Sequence, residues 1–219
     1  MPKTKPFDEN YEQYEEWFEN NKYAYLSELK AVKHFIPEDK KGIDPVGITS
    51  NGVEIGIGSG KFAVPLGIKV GVEPSKVMAK LARERGLKVY IGVGEKLPFE
   101  NSSFDFALMV TTICFLDDVE KSFSEVKRIL KPGGSFIIGF VDKHSPLGKQ
   151  YLRYKNENVF YKIANFFSTK QVLEILKNTG FKDFEVVQTV FGEMSYINKI
   201  QNFKESYGEG GFVVIKSKI

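Results

Sequence analysis

The chain has 219 residues, 42% of them hydrophobic and 14% aromatic, which is enough for a packed core and excludes a disordered chain. Its 31 Lys and Arg exceed its 28 Asp and Glu by only three, and no basic cluster marks a nucleic-acid or membrane-surface binder. Cys114 is the single cysteine, which excludes an intramolecular disulfide and a thiolate zinc cluster; with no apolar leader and no bilayer-length stretch, a soluble, cytoplasmic protein without membrane insertion is expected.

Two amphipathic helices open the chain. Tyr11, Tyr14 and Phe18 recur at helical spacing beside Trp17, and Asn20-Asn21 punctuates. Tyr25, Leu26, Leu29, Val32, Phe35 and Ile36 then form a second face that Pro37 stops. Residues 38–52 read as a loop, being polar and containing Gly42, Pro45 and Gly47.

Strands and helices alternate from there. Val53-Glu54-Ile55 is a strand that runs into Gly56-Ile57-Gly58-Ser59-Gly60, and a short helix of at most 61–66 precedes a second strand over 69–72. Pro74 stands where a helical turn would start, and Val77, Met78, Leu81 and Ala82 form a helical face closed by Gly86. Strands are predicted over 88–91, 104–110 and 135–141, with a helix between the last two that Asp118 caps and Pro132-Gly133-Gly134 ends. Apolar strands separated by helices imply a parallel sheet covered on both faces, a three-layer α-β-α arrangement.

Residues 144–167 are aromatic and basic, and Ser168 with Gln171 forms a capping-box pair that opens another helix. Two strands, 184–190 and 212–216, follow with no helix between them, so they should pair antiparallel. The predicted fold is a doubly wound, mostly parallel sheet with an antiparallel edge strand pair.

The glycine loop follows a strand and opens toward a helix, where backbone amides can approach a ligand. A phosphate-binding loop would need glycine at Ile55 and Ser or Thr at Phe62; a dinucleotide fingerprint would need glycine at Lys61. Neither spacing holds, and taken alone the loop is a tight strand-to-helix turn. Glu73 ends the second strand, where an open α/β sheet binds ligands and a carboxylate can accept two hydrogen bonds from a ribose diol; the plainer reading is a solvated acid at a helix start.

These residues carry a resemblance. Val53-Glu54-Ile55-Gly56-Ile57-Gly58-Ser59-Gly60 resembles the first motif of class I S-adenosylmethionine-dependent methyltransferases, and Gly71-Val72-Glu73-Pro74-Ser75 their ribose-binding segment. Gly94-Glu95-Lys96-Leu97-Pro98-Phe99 with Ser103-Phe104-Asp105 is similar to the adenine-side loop and fourth strand, and the run from Arg128 to Gly134 to the turn before the fifth strand. The match covers roughly 50–141, and the subgroup resembled is the small-molecule (type 11) one that includes ubiquinone- and menaquinone-biosynthesis enzymes.

The resemblance implies a Rossmann-like single domain over 1–219: an N-terminal helical lid (1–37), a cofactor-binding core (50–141), a substrate-side insertion (144–167), and a C-terminal helix with antiparallel strands (168–219). It implies S-adenosyl-L-methionine as cofactor, a small-molecule acceptor, and no metal or nucleic acid. Gly56, Gly58 and Gly60 would approach the methionine part and Glu54 its amino group. Glu73 would hold the ribose, Pro74 and Met78 would pack near the adenine, Gly94 and Glu95 would border that ring, and Thr111 would face the methionine. Two features depart from the family: Val93 stands where relatives often carry Asp, and only 13 positions separate Gly60 from Glu73, which implies a stunted first helix and a more open site.

Methyl transfer from a sulfonium is an in-line displacement, so positioning and desolvation are the main effects and a base is needed only if the acceptor loses a proton. His144 follows the fifth strand and is the candidate catalytic base; its plain reading is a solvated loop histidine. Cys114 is expected as a small core filler, and Tyr11, Tyr14, Trp17, Tyr23 and Tyr25 as lid or ordinary helix packing. A non-catalytic or regulatory adenosyl-cofactor-binding domain remains the alternative, and a nicotinamide oxidoreductase is disfavoured by the spacing at Lys61.

Overall fold

The computed structural model describes residues 2–37 and 51–219, so nearly all of the loop expected over 38–52 lies outside the described residues. The chain begins with three helices, α1 (Lys5–Glu9), α2 (Tyr11–Asn20) and α3 (Lys22–Lys33). The last two are the expected amphipathic pair. The five-residue α1, with Pro6 in its first turn, was not anticipated.

The strands are β1 (Gly52–Ile55), β2 (Val70–Glu73), β3 (Lys88–Ile91), β4 (Phe104–Val110), β5 (Leu130–Val141), β6 (Lys182–Thr189), β7 (Lys204–Glu205) and β8 (Phe212–Lys218). They form one sheet in the order β3-β2-β1-β4-β5-β8-β6-β7. The first five are parallel, and β8 lies between β5 and β6, antiparallel to both. The expected antiparallel pairing is therefore present, with the two-residue β7 added outside it.

Period-two alternation divides the core. Phe106 and Leu108 of β4 face one apolar layer, which α3 covers together with α4 (Lys76–Glu84). Ala107 and Met109 face the other, covered by α5 (Val119–Ile129) and α7 (Thr169–Asn178). A shorter helix, α6 (Pro146–Arg153), lies in the aromatic segment after β5. Asp118 caps α5 by accepting from the Lys121 amide, and the Ser168–Gln171 capping box on α7 is complete. At α4 the cap is Ser75, whose hydroxyl accepts from the Met78 amide, so Pro74 stands one place before it. No described helix is long and apolar enough to cross a membrane.

The short helix expected over 61–66 is a series of turns, its amides reaching back from Val64 to Gly60 and from Leu66 to Phe62. Nor is that side open. Glu15 of α2 bonds Ser59 and Arg85 and pairs with Lys61 at 3.0 Å, while the Tyr25 hydroxyl donates to the Lys61 carbonyl at 2.5 Å. Burial pushes the Glu15 carboxyl up, but the hydrogen bonds from Arg85, Ser59 and Lys61 outweigh it and hold the group below the usual carboxylate range.

The layer under α5 gives a direct stability test. Phe123 is fully buried and meets the Phe136 ring edge-on at 5.1 Å. Phe123→Ala should lower unfolding free energy by about 3–5 kcal/mol, read as a reduced urea midpoint at unchanged slope.

Candidate active site

The C-terminal ends of β1 to β4 meet around a cavity of about 440 Å³. It sits where the chain switches direction between β1 and β4, the place an open α/β sheet leaves for a ligand. The glycine loop forms one wall. The Gly56 and Ile57 amides both donate to the Val72 carbonyl, at 2.8 and 3.0 Å, folding the loop over the end of β2. Gly56 and Gly58 have φ of +70° and +55°. A Cβ on Gly56 would collide with the Thr112 side chain, and one on Gly58 would stand 3.0 Å from the Tyr14 hydroxyl. The backbone must be bare here.

Glu73 closes the loop from beneath. Its Oε2 accepts from the Gly58 amide and its Oε1 from the Ser75 amide, both at 2.9 Å. A carboxylate offers about four lone-pair sites, so two remain for a ligand. Burial pushes the carboxyl up to about 7 against the lowering effect of these two amides. Glu54 lies behind the loop, 2% exposed, and its Oε2 has no hydrogen-bond partner among the described residues. Burial raises it well above the ordinary value, with the Ala63 amide opposing.

The other walls come from three directions. Gly94 and Glu95 follow β3, and Glu95 accepts from the Asp117 and Asp118 amides at 2.8 and 3.2 Å. Thr111 directly follows β4 with φ of +50°, a left-handed conformation costly for a β-branched residue and found where a structure over-determines it. Lys3, Thr4, Phe7 and Tyr14 form the roof. The roof is tied down by the Ser75 hydroxyl, which donates to Asp8 Oδ1 at 2.6 Å.

Phe7, Tyr14, Thr111 and Phe115 also line a second cavity, of about 170 Å³. Its walls are mostly rings. Phe7 meets Phe115 at 5.0 Å and Phe160 at 5.1 Å, and Tyr151 stacks on Tyr161 at 4.3 Å. Glu28 of α3 stands among them.

Gly56, Gly58, Glu73, Pro74, Met78, Gly94, Glu95 and Thr111 all line the larger cavity. Glu54 and Gly60 stand behind its wall. At Gly60 glycine is required by a φ of +87° and by the Leu87 methyl that a Cβ would strike. His144 is not brought to either cavity: it is exposed on the turn between β5 and α6, and its amide donates to Asp142 Oδ1 at 2.7 Å. A base there has no geometric support. Cys114 is a wall residue of the second cavity rather than a core filler, its thiol donating to the Thr111 carbonyl. Of the expected lid aromatics, Tyr14 and Trp17 line a cavity while Tyr11 bonds Glu12 and Tyr23 is exposed.

Phe7 and Glu28 escaped the reading of the sequence. Phe7 sits in a polar stretch with no periodicity to mark it. Glu28 carried a signal: it falls between Ala24 and Val32, one turn from each, on the buried face of α3.

The family profile described as a methyltransferase domain matches residues 53–138. An uncharacterised protein of Methanocaldococcus jannaschii is 46% identical over 97% of this chain and 98% of its own length. A solved structure from Thermotoga maritima, described as an S-adenosylmethionine-dependent methyltransferase and possible histamine N-methyltransferase, is 49% identical, covers 98% of this chain and 99% of that one, and superposes with a TM-score of 0.91. The chain belongs to the S-adenosylmethionine-dependent methyltransferases. A demethylmenaquinone methyltransferase of Chlorobaculum tepidum is 29% identical over 64% of this chain and 68% of its own. The methyltransferase is thus a Rossmann-like α/β enzyme that uses S-adenosylmethionine to methylate a small-molecule acceptor.

The residues fit that cofactor. The bare glycine wall leaves room for a chain passing closely, Glu73 keeps lone pairs for a diol, and the partnerless Glu54 oxygen suits an ammonium group.

Glu28 and Glu73 are raised to about 8 and about 7 by burial. Both exceed the unfolded value of about 4.3, so the folded state holds extra protons between them and stability falls as pH rises through that window. Ligand-free protein should melt highest at mildly acidic pH and lose stability toward pH 8. Glu73→Gln and Glu28→Gln should each flatten the midpoint measured from pH 5 to 9; a profile that neither variant changes would contradict these environments.

Proposed function

We propose that the larger cavity holds S-adenosylmethionine and the smaller, ring-lined one holds the acceptor, with the methyl group passed between them at Thr111. What carries this reading is the sharing of Phe7, Tyr14, Thr111 and Phe115 by two cavities of opposite character. One has carboxylates and bare backbone, the other rings. Gly56 and Gly58 border the methionine portion, Glu54 orients its amino group from behind that wall, directly or through water, Glu73 accepts from the ribose hydroxyls, and Gly94 with Met78, Pro74 and Glu95 borders the adenine. Gly60 shapes the loop from behind.

The cofactor supplies an electrophilic methyl group on a sulfonium. The protein's residues do the rest by alignment and by excluding water, which the rings of the second cavity and the roof of α1 and α2 accomplish. His144 has no part in this scheme. The single cysteine suits a reducing compartment such as the cytoplasm.

Glu73 provides the test. Protonation turns one of its two free lone-pair sites into a donor, so only the ionised form accepts from both hydroxyls of a diol, and affinity for S-adenosylhomocysteine should fall as pH drops below about 7 and level off above it. In Glu73→Gln the affinity at pH 8 should drop about tenfold or more and its pH dependence should vanish, since hydrogen bonds to a charged group contribute roughly 1.5–3 kcal/mol. A 2′-deoxy analogue should discriminate the native protein from the variant in calorimetric titration. Equal affinities across all four pairings would remove Glu73 from the cofactor site.

A further inference from the structure

Glu28 is 3% exposed, and no described residue hydrogen-bonds to its carboxyl or pairs with it. Among the described residues no Lys, Arg or His lines the second cavity, and Glu28 is the one charged side chain on its wall. The titratable groups near it are hydroxyls, Tyr25 from its own helix, Tyr151 from α6 and Tyr161 beyond, each pushed up chiefly by burial and further by the Glu28 charge. The rings of the last two stack on each other, and the Tyr25 hydroxyl donates to the Lys61 carbonyl.

A buried carboxyl without a partner is costly, and one that served packing alone would be better replaced by an apolar residue. What it lacks is a cation, and ring faces attract cations as well. An anionic ligand would meet repulsion here. A wholly apolar one would leave the carboxyl unpaired.

Resting on the assignment of this cavity to the acceptor, we propose that the acceptor is a small amine, its ammonium held by Glu28 among the rings and its methyl-receiving end directed to Thr111. Glu28 is then a positioning residue. It orients the amine by one charge-assisted hydrogen bond and takes no part in breaking the sulfonium bond.

Calorimetric titration of the protein already saturated with S-adenosylhomocysteine tests this with three probes of one shape: phenethylamine, 2-phenylethanol and 3-phenylpropanoate. At pH 8 the amine should bind at least about tenfold tighter than the alcohol, and the carboxylate not at all. Glu28→Gln should abolish the preference while S-adenosylhomocysteine still binds and the protein still melts cooperatively. On the unmutated protein the amine affinity should rise about tenfold per pH unit from 6 toward 8, since the cation needs the ionised carboxyl and an alkyl ammonium stays charged to about 10. An alcohol bound as tightly as the amine, an amine preference that survives Glu28→Gln, or failure of all three probes would overturn the proposal. Loss of S-adenosylhomocysteine binding to the unmutated protein would instead strike the cofactor assignment beneath it.

Discussion

The Glu73 carboxylate, accepting one backbone amide on each oxygen, is the constraint on which the site's geometry rests. Gly58 belongs to the loop after β1, Glu73 to the end of β2, and Ser75 to the cap of α4, so a single side chain sets three elements relative to one another. The chain of bonds continues outward. Ser75 caps α4 through the Met78 amide and donates its hydroxyl to Asp8, which fixes α1 across the cavity mouth. A ligand that completes the coordination of Glu73 therefore acts on the loop and the roof together.

The site also collects buried acids with little to neutralise them. Glu28, Glu54 and Glu73 lie beneath or beside the two cavities, and burial raises all three. On the outer side of the roof an acid is well matched, Glu15 with Arg85 and Lys61. The contrast has a physical logic. The matched pair fastens a helix, whereas the unmatched carboxyls hold electrostatic cost that an incoming diol or ammonium relieves, so part of the binding free energy comes from removing a penalty already present.

The centre of the parallel sheet was legible because its strands are buried on both faces: β4 falls at the residues that its apolar run marks. The half-exposed edge strand β3 falls at 88–91, and Gly86 follows α4. Pro132-Gly133-Gly134, by contrast, was expected to end the helix before a strand at 135, but it lies inside β5, which starts at Leu130 directly after α5. What escaped lacks local character. The five-residue α1 has too few turns to show a face, and β7 pairs because β6 offers an edge rather than because Lys204-Glu205 favours a strand. At the site, the glycine wall and Glu73 announced themselves through spacing, since backbone that must approach a ligand needs glycine. The aromatic cavity did not, since its rings come from α1, α2, the turns at Phe62 and Phe115, β5, α6 and the segment after it, which only tertiary packing brings together. His144 misled for the opposite reason. Sequence placed it just past β5, at the rim where substrates enter, but the Asp142 turn fixes its backbone there while its ring stays exposed.

The antiparallel placement of β8 separates the two ends of the chain. Lys218 pairs with Ser135 midway along β5, and the Ile219 amide reaches the Gly134 carbonyl, so the chain finishes on the side of the sheet away from the cavities. Pro2, Lys3 and Thr4, by contrast, line the larger cavity itself. Any extension joined ahead of Pro2 starts at the mouth through which ligands pass, whereas a purification handle or surface linker joined after Ile219 hangs from the far side and leaves that entrance clear.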